Sequence, residues 1–591
     1  MLWSGIRSII NIKKTALSGI SQLVVDGNKI TDPKEIASSL NKYFVSVPEQ
    51  VDKDIPRTNK SPMDYLNHCV QNSFFLSPAD PKEIESIILS FSNKKSVGPY
   101  SIPVRLLKTL ACEISESFSL IVNDSFSTGN YPEKLKVGRV IALHKKGSTD
   151  NPSNYRPISL LSIFSKIFGK LMHKRLNDFL ETNNVLHNLQ FGFRKKHSTA
   201  HALISLTEKI KQTIDNGNLA CGVFIDLKKA FDTVNHTILL KKLEHYGIRG
   251  VPLQWFKSYL TDRKQYVSVC GNISETLQIK CGVPQGSVLG PLLFLLYIND
   301  LAKVSEKLTF FLFADDTNIY YESSNISDIQ KTVNKELNKV RKWLEANRLA
   351  LNIDKTNFVI FHSPKNLYND QITIKFGGKK VSQETCVKFL GVLLDSSLSW
   401  KPHITELTKK LSRTVGLFCK IRHYAPLETL KMLYHGIFFP FISYGIQVWG
   451  LTYPTYLEKV FILQKKIIKC MTFNDIRTPS SPLFHQLELL KLDDINNLEI
   501  ASFVYECING LVPQYFENFF TSLSSKHSLG TRQSKKGNLF LERQNTVQYG
   551  IRSIHYSGAK LWNSVPPEIR LLSTTKKFRS ELKVYFIKFY I

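Results

Sequence analysis

Apolar positions change their period several times along the 591-residue chain, and each change marks an element. Asp32-Pro33-Lys34-Glu35 and Asp80-Pro81-Lys82-Glu83 each combine an N-cap, a proline at the first helical position and a glutamate in the first turn. The first opens a helix carrying Ile36, Leu40 and Phe44, the second one carrying Ile84, Ile87, Ile88 and Phe91. Between them, Val51 to Met63 is polar and contains proline, and reads as a linker. Cys221 to Ile225 is a short apolar run with the composition of a buried strand, and it ends on Asp226. A helical pattern then runs through Ile238, Leu239, Leu243 and Tyr246 to a stop at Gly247, and Val251 to Leu260 continues it. Lys264 to Val269 and Thr276 to Lys280 alternate around Gly271-Asn272, which predicts a hairpin. Leu308 to Leu312 and Asn318 to Tyr321 are strand-like runs either side of a tight reversal, Phe313-Ala314-Asp315-Asp316-Thr317. Beyond Trp400, Ile404 to Ile421 and Leu427 to Phe439 carry helical periodicity. Strands and helices interleave around the Asp-bearing segments, so the pattern predicts an α+β fold with an antiparallel sheet backed by helices.

The reversal is also where chemistry concentrates. Two unit charges ~4 Å apart repel by about 4 kcal/mol at an effective dielectric of ~20, so adjacent Asp315 and Asp316 favour a bound cation. Oxygen-only ligands suit Mg²⁺, which binds through one or two carboxylates plus substrate phosphates. Taken alone, the doublet fits a polar turn equally well. Asp226 shifts the balance, because a strand that stays apolar until a terminal Asp sets that carboxylate at the sheet edge. Two divalent ions about 3.5–4 Å apart can activate a primer 3′-hydroxyl and stabilise departing pyrophosphate. In that arrangement Asp226 bridges the ions, Asp315 completes the shell and Asp316 supports it, which is nucleotidyl-transfer chemistry. Between the carboxylates, the loop Gly282 to Pro291 feeds the apolar helix-length stretch Leu292 to Ile298. Its glycines let backbone approach a ligand, and the helix amides would face phosphate or base.

From Lys136 to Trp400 the motifs follow one order. Gly138-Arg139-Val140-Ile141-Ala142-Leu143-His144-Lys145-Lys146-Gly147 comes first, then Asn154-Tyr155-Arg156-Pro157-Ile158-Ser159-Leu160 and Gln190-Phe191-Gly192-Phe193-Arg194. The Asp226 segment, Pro284-Gln285-Gly286-Ser287 and Ala314-Asp315-Asp316 follow, then Asn347 to Thr356 and Phe389-Leu390-Gly391-Val392. On these motifs the chain resembles the reverse transcriptases of non-LTR (LINE-type) retrotransposons, nearest to jockey-like elements. The resemblance implies a right-hand polymerase: fingers and palm over 93–395 (core match about 125–395) and a helical thumb over 396–475. Residues 1–92 would be an N-terminal helical extension or spacer, and 476–591 a basic C-terminal region. It implies Asp226, Asp315 and Asp316 as catalytic residues and metal ligands for two Mg²⁺ ions, with Mn²⁺ as a substitute.

Lys145 and Arg156 resemble the fingers residues that grip the incoming triphosphate, Arg through a bidentate fork and Lys as a point charge. Gln285 and Gly286 would line the base pair being formed, and Lys355 would donate a proton to pyrophosphate. Phe231 stands where the family places a bulky aromatic against the sugar edge, a ring that would clash with a ribose 2′-hydroxyl; it also fits an ordinary core position. Lys94-Lys95-Ser96-Val97-Gly98-Pro99 resembles the loop leading into the fingers, with Tyr100-Ser101 where an Asp is common. Tyr444-Gly445 and Trp449-Gly450 resemble a thumb segment of these elements and equally fit core. The implied partners are an RNA template, a DNA primer or target and dNTPs. Relatives usually place a DNA-nicking endonuclease before the polymerase. Its absence here gives the expectation of a truncated or split copy whose target nick is supplied by another protein.

Composition agrees with a nucleic-acid enzyme without deciding it. Lys and Arg total 78 against 49 Asp and Glu, a net charge of +29 that attracts a polyanion in a salt-dependent way. Ribosomal and membrane-surface proteins share that balance. Nine scattered cysteines, with no Cys-x-x-Cys pair, argue for a reduced compartment and against a zinc knuckle. No secretory layout opens the chain and no apolar run approaches the ~20 residues of a membrane span, so the expectation is a soluble intracellular protein of nucleus or cytoplasm, with no membrane partner. From Leu523 to Ile591, thirteen Lys/Arg stand against three Asp/Glu among Phe540, Tyr549, Tyr556, Trp562, Phe578, Tyr585, Phe586 and Tyr590. Such a segment can bind RNA, or be a helical domain with a solvated basic face. Three rivals remain: an RNA-dependent RNA polymerase, which would want polar readers of the 2′-hydroxyl at Phe231; an intron maturase; and an inactive or repurposed nucleic-acid binder. Oligomeric state is left open by the sequence.

Overall fold

The computed structural model describes residues 20–66, 69–93, 98–365, 372–526 and 537–590. Its centre is a five-stranded sheet in the order Ser382–Gln383, Asn357–Phe361, Leu219–Ile225, Asp316–Ser323, Thr309–Phe313. All pairings are antiparallel except the edge pair of Asn357–Phe361 with Ser382–Gln383. Leu219–Ile225 lies in the middle and every residue in it is buried, which explains an apolar run without alternation. Its two faces feed different cores. Cys221, Val223 and Ile225 join Phe310, Leu312, Ile319, Phe358 and Ile360 under the helices Ile163–Thr182, Gly290–Ile298 and Ile326–Ala346. Ala220 and Phe224 join Phe311, Tyr320, Val359 and Phe361 on the other face, against helix Thr199–Asp215.

A second sheet carries Tyr155–Leu160, Val137–His144 and Lys264–Val269, the first two antiparallel and the last two parallel. Lys264–Val269 turns back at Cys270-Gly271 as expected. The returning chain is broken into Asn272–Ile273 and Leu277–Gln278, and this hairpin belongs to the second sheet, not the Asp-bearing one. Helix Pro33–Lys53 packs beneath, its Ile36, Ala37, Leu40 and Phe44 meeting Val140, Tyr155, Val267 and Val269. Both Asp-Pro helix starts form: Asp32 accepts from the Glu35 amide at 2.9 Å, and Asp80 from that of Lys82 at 2.7 Å. The linker read over Val51 to Met63 is shorter than expected. Burial of Val47 and Pro48 carries the first helix through its internal proline to Lys53, and a short 3₁₀ turn spans Pro62–Tyr65. Of the loop at Lys94 to Pro99, Lys94 to Val97 lie outside the described residues.

Beyond Trp400 come helix Lys401–Ile421 and then Leu427–Leu433, which continues through a widened turn at Tyr434–Phe438 into Phe439–Ser443. Pro454–Met471, Leu492–Ile508, Ile554–Ser564 and Thr575–Ile587 complete the helical half. Trp449 is buried and belongs to the core, whereas Tyr444 is 43% exposed and donates its hydroxyl to the Leu390 carbonyl at 2.7 Å. Tyr549, Trp562, Phe578 and Tyr590 are buried too; these rings of the basic C-terminal segment pack inward and are not available for stacking on bases. No helix among the described residues is long and apolar enough to cross a membrane.

Candidate active site

Register brings the three carboxylates to one end of the central sheet. Asp226 leaves the middle strand immediately after Ile225, and Ile225 pairs with Thr317, the neighbour of Asp316. The reversal is tight, with Phe313 opposite Asp316 and Ala314 at φ 57°. A left-handed alanine needs support, and Gln190 gives it: the side-chain Oε1 accepts from the Ala314 amide at 3.1 Å and from the Gly192 amide at 3.0 Å. Main-chain bonds from Phe191 to Leu312 and from Leu312 to Leu189 hold this segment alongside the hairpin. A Cβ on Gly192 would lie 2.6 Å from the Ala314 nitrogen, so glycine is required by the close approach.

Asp226 Oδ2 accepts from Asn352 Nδ2 at 2.7 Å and lies 3.6 Å from Lys355 Nζ, while the Asn352 amide donates to the Asp226 carbonyl at 2.9 Å. The segment Asn347 to Thr356 thus lies across the base of the site. Asp315 and Asp316 keep solvent access at the turn but sit over a dense protein shell. That crowding raises the carboxyl of Asp315, and it pushes Asp316 up to about 6 together with the charges of Asp315 and Asp226. Among the described residues, no group of three or more His, Cys, Asp or Glu side chains is already gathered as a metal cage. The donors nevertheless fit a hard cation: all are oxygens, and their mutual repulsion is relieved by positive charge.

Opposite stand cations. Lys145 follows strand Val137–His144, its amide bonded to the Asn154 carbonyl at 2.8 Å, and Arg156 faces Leu143 across the adjacent strand. Burial, then the charges of Arg156 and Lys355, depress the Lys145 ammonium, with Asp226 opposing. Lys229 joins them at a left-handed φ of 50°, its Nζ 3.5 Å from the Tyr155 carbonyl. Its pKa is lowered by burial, and Arg156 and Lys355 add to the effect against Asp232.

Phe231 stacks on Phe294 at 4.4 Å and meets Phe193 edge-on at 6.4 Å. The glycine loop is clamped on both sides. The Val283 amide donates to the Phe231 carbonyl at 2.9 Å, and the Ser159 amide donates to the Gln285 carbonyl at 2.7 Å. Gly286 has φ 109°, and a Cβ there would lie 2.7 Å from the Ser159 carbonyl oxygen. Gln285 Nε2 donates to Asp232 Oδ1 at 2.8 Å. Burial pushes the Asp232 carboxyl up to about 6, against the Gln285 bond and the charges of Lys229 and Arg156.

This end of the sheet coincides with a family match. Residues 143–394 match the model of the reverse transcriptase (RNA-dependent DNA polymerase) family, a span that contains every candidate residue above. The chain carries a reverse transcriptase domain. The chain is 30% identical over 454 residues to the "Probable RNA-directed DNA polymerase from transposon X-element" of Drosophila melanogaster, covering 73% of this chain and 48% of that protein. It is also 30% identical over 427 residues to the "Probable RNA-directed DNA polymerase from transposon BS" of the same fly (69% of this chain, 46% of that protein). The RNA-directed DNA polymerase from mobile element jockey of that fly is 30% identical over 422 residues (69% and 45%). The chain spans about half the length of these relatives, and the resemblance to jockey-like elements is borne out.

Within the reverse transcriptase domain, Asp226, Asp315, Asp316, Lys145, Arg156 and Lys355 lie close enough to shift one another's titration or to pair, and Phe231, Gln285 and Gly286 line the adjoining wall. Sequence reasoning missed Gln190, Asn352, Lys229 and Asp232 as parts of the site. Gln190 and Asn352 lay inside quoted motifs, and Asp232 follows the aromatic Phe231 directly, but only the fold shows what each one touches.

Proposed function

We propose that this chain is an RNA-directed DNA polymerase of a non-LTR retrotransposon, transferring nucleotides from dNTPs to the 3′-hydroxyl of a DNA primer on an RNA template. The observation that carries this reading is the convergence of Asp226, Asp315 and Asp316 at one sheet end, facing Lys145, Arg156 and Lys229. In this reading the central sheet is the palm, the second sheet with its helices forms the fingers, and the helices from Lys401 to Met471 form the thumb. Two Mg²⁺ ions, or Mn²⁺ in their place, held by the three carboxylates would supply the charge that activates the primer hydroxyl and stabilises the leaving phosphate.

The chain's own residues do the rest. Lys145 and Lys229, both partly desolvated, stand beside Arg156, a repulsive arrangement that a triphosphate relieves. Lys355, 3.6 Å from Asp226, is within reach to hold a proton for departing pyrophosphate. Phe231, fixed between Phe294 and Phe193, forms a rigid wall against the incoming sugar, and Gln285 and Gly286 line the nascent pair.

The test is extension of a labelled DNA primer on a heteropolymeric RNA template with dNTPs and Mg²⁺ or Mn²⁺. The expected product is DNA complementary to the template and dependent on the divalent ion. No extension with either ion contradicts the proposal.

A further inference from the structure

Gln285 is held at both ends. Its carbonyl accepts from the Ser159 amide at 2.7 Å, and its side-chain Nε2 donates to Asp232 Oδ1 at 2.8 Å. An ionised carboxylate can only accept, so Asp232 fixes which way the amide faces: nitrogen inward, oxygen away. Among the described residues no protein donor reaches the Gln285 Oε1. Behind the pair, a cavity of about 50 Å³ is lined by Asp232, Arg263 and, from the N-terminal helix, Phe44, Val45 and Pro48, so Asp232 is backed by packed chain. The adjoining Gly282 makes the same close approach: a Cβ there would lie 2.5 Å from the Asp232 carbonyl oxygen.

Resting on the polymerase reading, in which Gln285 lines the nascent pair, we infer that Asp232 is a positioning residue that presents Gln285 Oε1 to the 2′-hydroxyl of the templating ribonucleotide. The minor-groove edge of an A·T pair offers only acceptors, which a carbonyl oxygen cannot bond, and a G·C pair adds one donor, the guanine N2 amino group, which comes and goes with sequence. The ribose 2′-hydroxyl is the donor that every RNA template supplies whatever its sequence, and a DNA template lacks it. An amide locked with its oxygen outward therefore selects RNA as template, whereas an amide free to rotate would accept either backbone. Asp232 acts through Gln285 and touches neither template nor dNTP.

The test uses the full-length chain on two RNA templates that differ only by one 2′-deoxynucleotide at the templating position. Wild type extends about tenfold faster, as single-nucleotide kcat/KM, on the all-RNA template, the size of one lost hydrogen bond. Asp232→Ala and Gln285→Leu each bring that ratio close to one, and the double variant moves it no further. Asp232→Asn, which can still accept from the amide, keeps part of the ratio. A purely structural role for Asp232 would slow both templates equally and leave the ratio intact, which overturns the inference. Equal wild-type rates on the two templates also overturn it, need no variant to fold, and leave the polymerase reading standing. No wild-type extension on either template overturns that reading instead.

Discussion

At the scale of single residues, Asp316 is the most exposed to conditions. Its carboxyl is raised from 3.8 to about 6 in the folded chain, first by burial and then by Asp315 and Asp226. A raised carboxyl binds its proton more tightly folded than unfolded, so ionisation costs stability above pH ~6 and nothing below ~4. Asp316→Asn should therefore raise the Tm of the metal-free protein at pH 8 and leave it unchanged near pH 4, readable by differential scanning fluorimetry. Mg²⁺ should raise the wild-type Tm more at pH 8 than at pH 5.5, because proton and cation compete for the same oxygens. A pH-independent Mg²⁺ effect would count against the carboxylates as ligands. Phe231 gives a second test. Its stack on Phe294 fixes the ring plane, so Phe231→Val should open the sugar wall and raise ribonucleotide incorporation relative to dNTP. Unchanged discrimination would leave Phe231 a core residue.

Legibility divided along chemical lines. Asp226, Asp315 and Asp316 could be read because apolar strands ending in carboxylates advertise themselves. Gln190, Asn352 and Asp232 could not, since each acts on a partner 53 to 126 positions away, fixed only by register and packing.

At the scale of elements, the strands and most helices followed from periodicity and caps, while their partners did not. The hairpin at Lys264 was legible, but its parallel pairing with Val137–His144 depends on chain far upstream. Helix Pro33–Lys53 was read as an extension, and the structure makes it the floor of the second sheet. Asn41, 1% exposed, donates to the Gln265 and Glu275 carbonyls at 3.4 and 2.8 Å and accepts from Gln265 Nε2 at 3.0 Å. Asn41→Ala strands those buried groups and should cost about 1–3 kcal/mol in urea unfolding. A change under a few tenths would show the helix to be loosely docked.

At the scale of the whole molecule, one apolar core runs from Leu189, beside the central sheet, through Trp449 to Tyr590. The helical half and the sheet that carries the carboxylates are therefore packed as one body, and Tyr549, Trp562, Phe578 and Tyr590 of the basic C-terminal segment serve that core. The surface lysines and arginines remain to meet nucleic acid, in keeping with a net charge of +29. That charge attracts a polyanion, and a binder that has lost its chemistry would share it. The measurement that separates the two compares wild type with Asp315→Ala for affinity to an RNA-template, DNA-primer duplex and for single-turnover extension of that primer with Mg²⁺. The account predicts equal affinity and an extension rate reduced about 10³-fold or more, the loss expected when metal-held charge stabilisation of several kcal/mol is removed. Equal extension by both proteins, or none by either at full affinity, would contradict it.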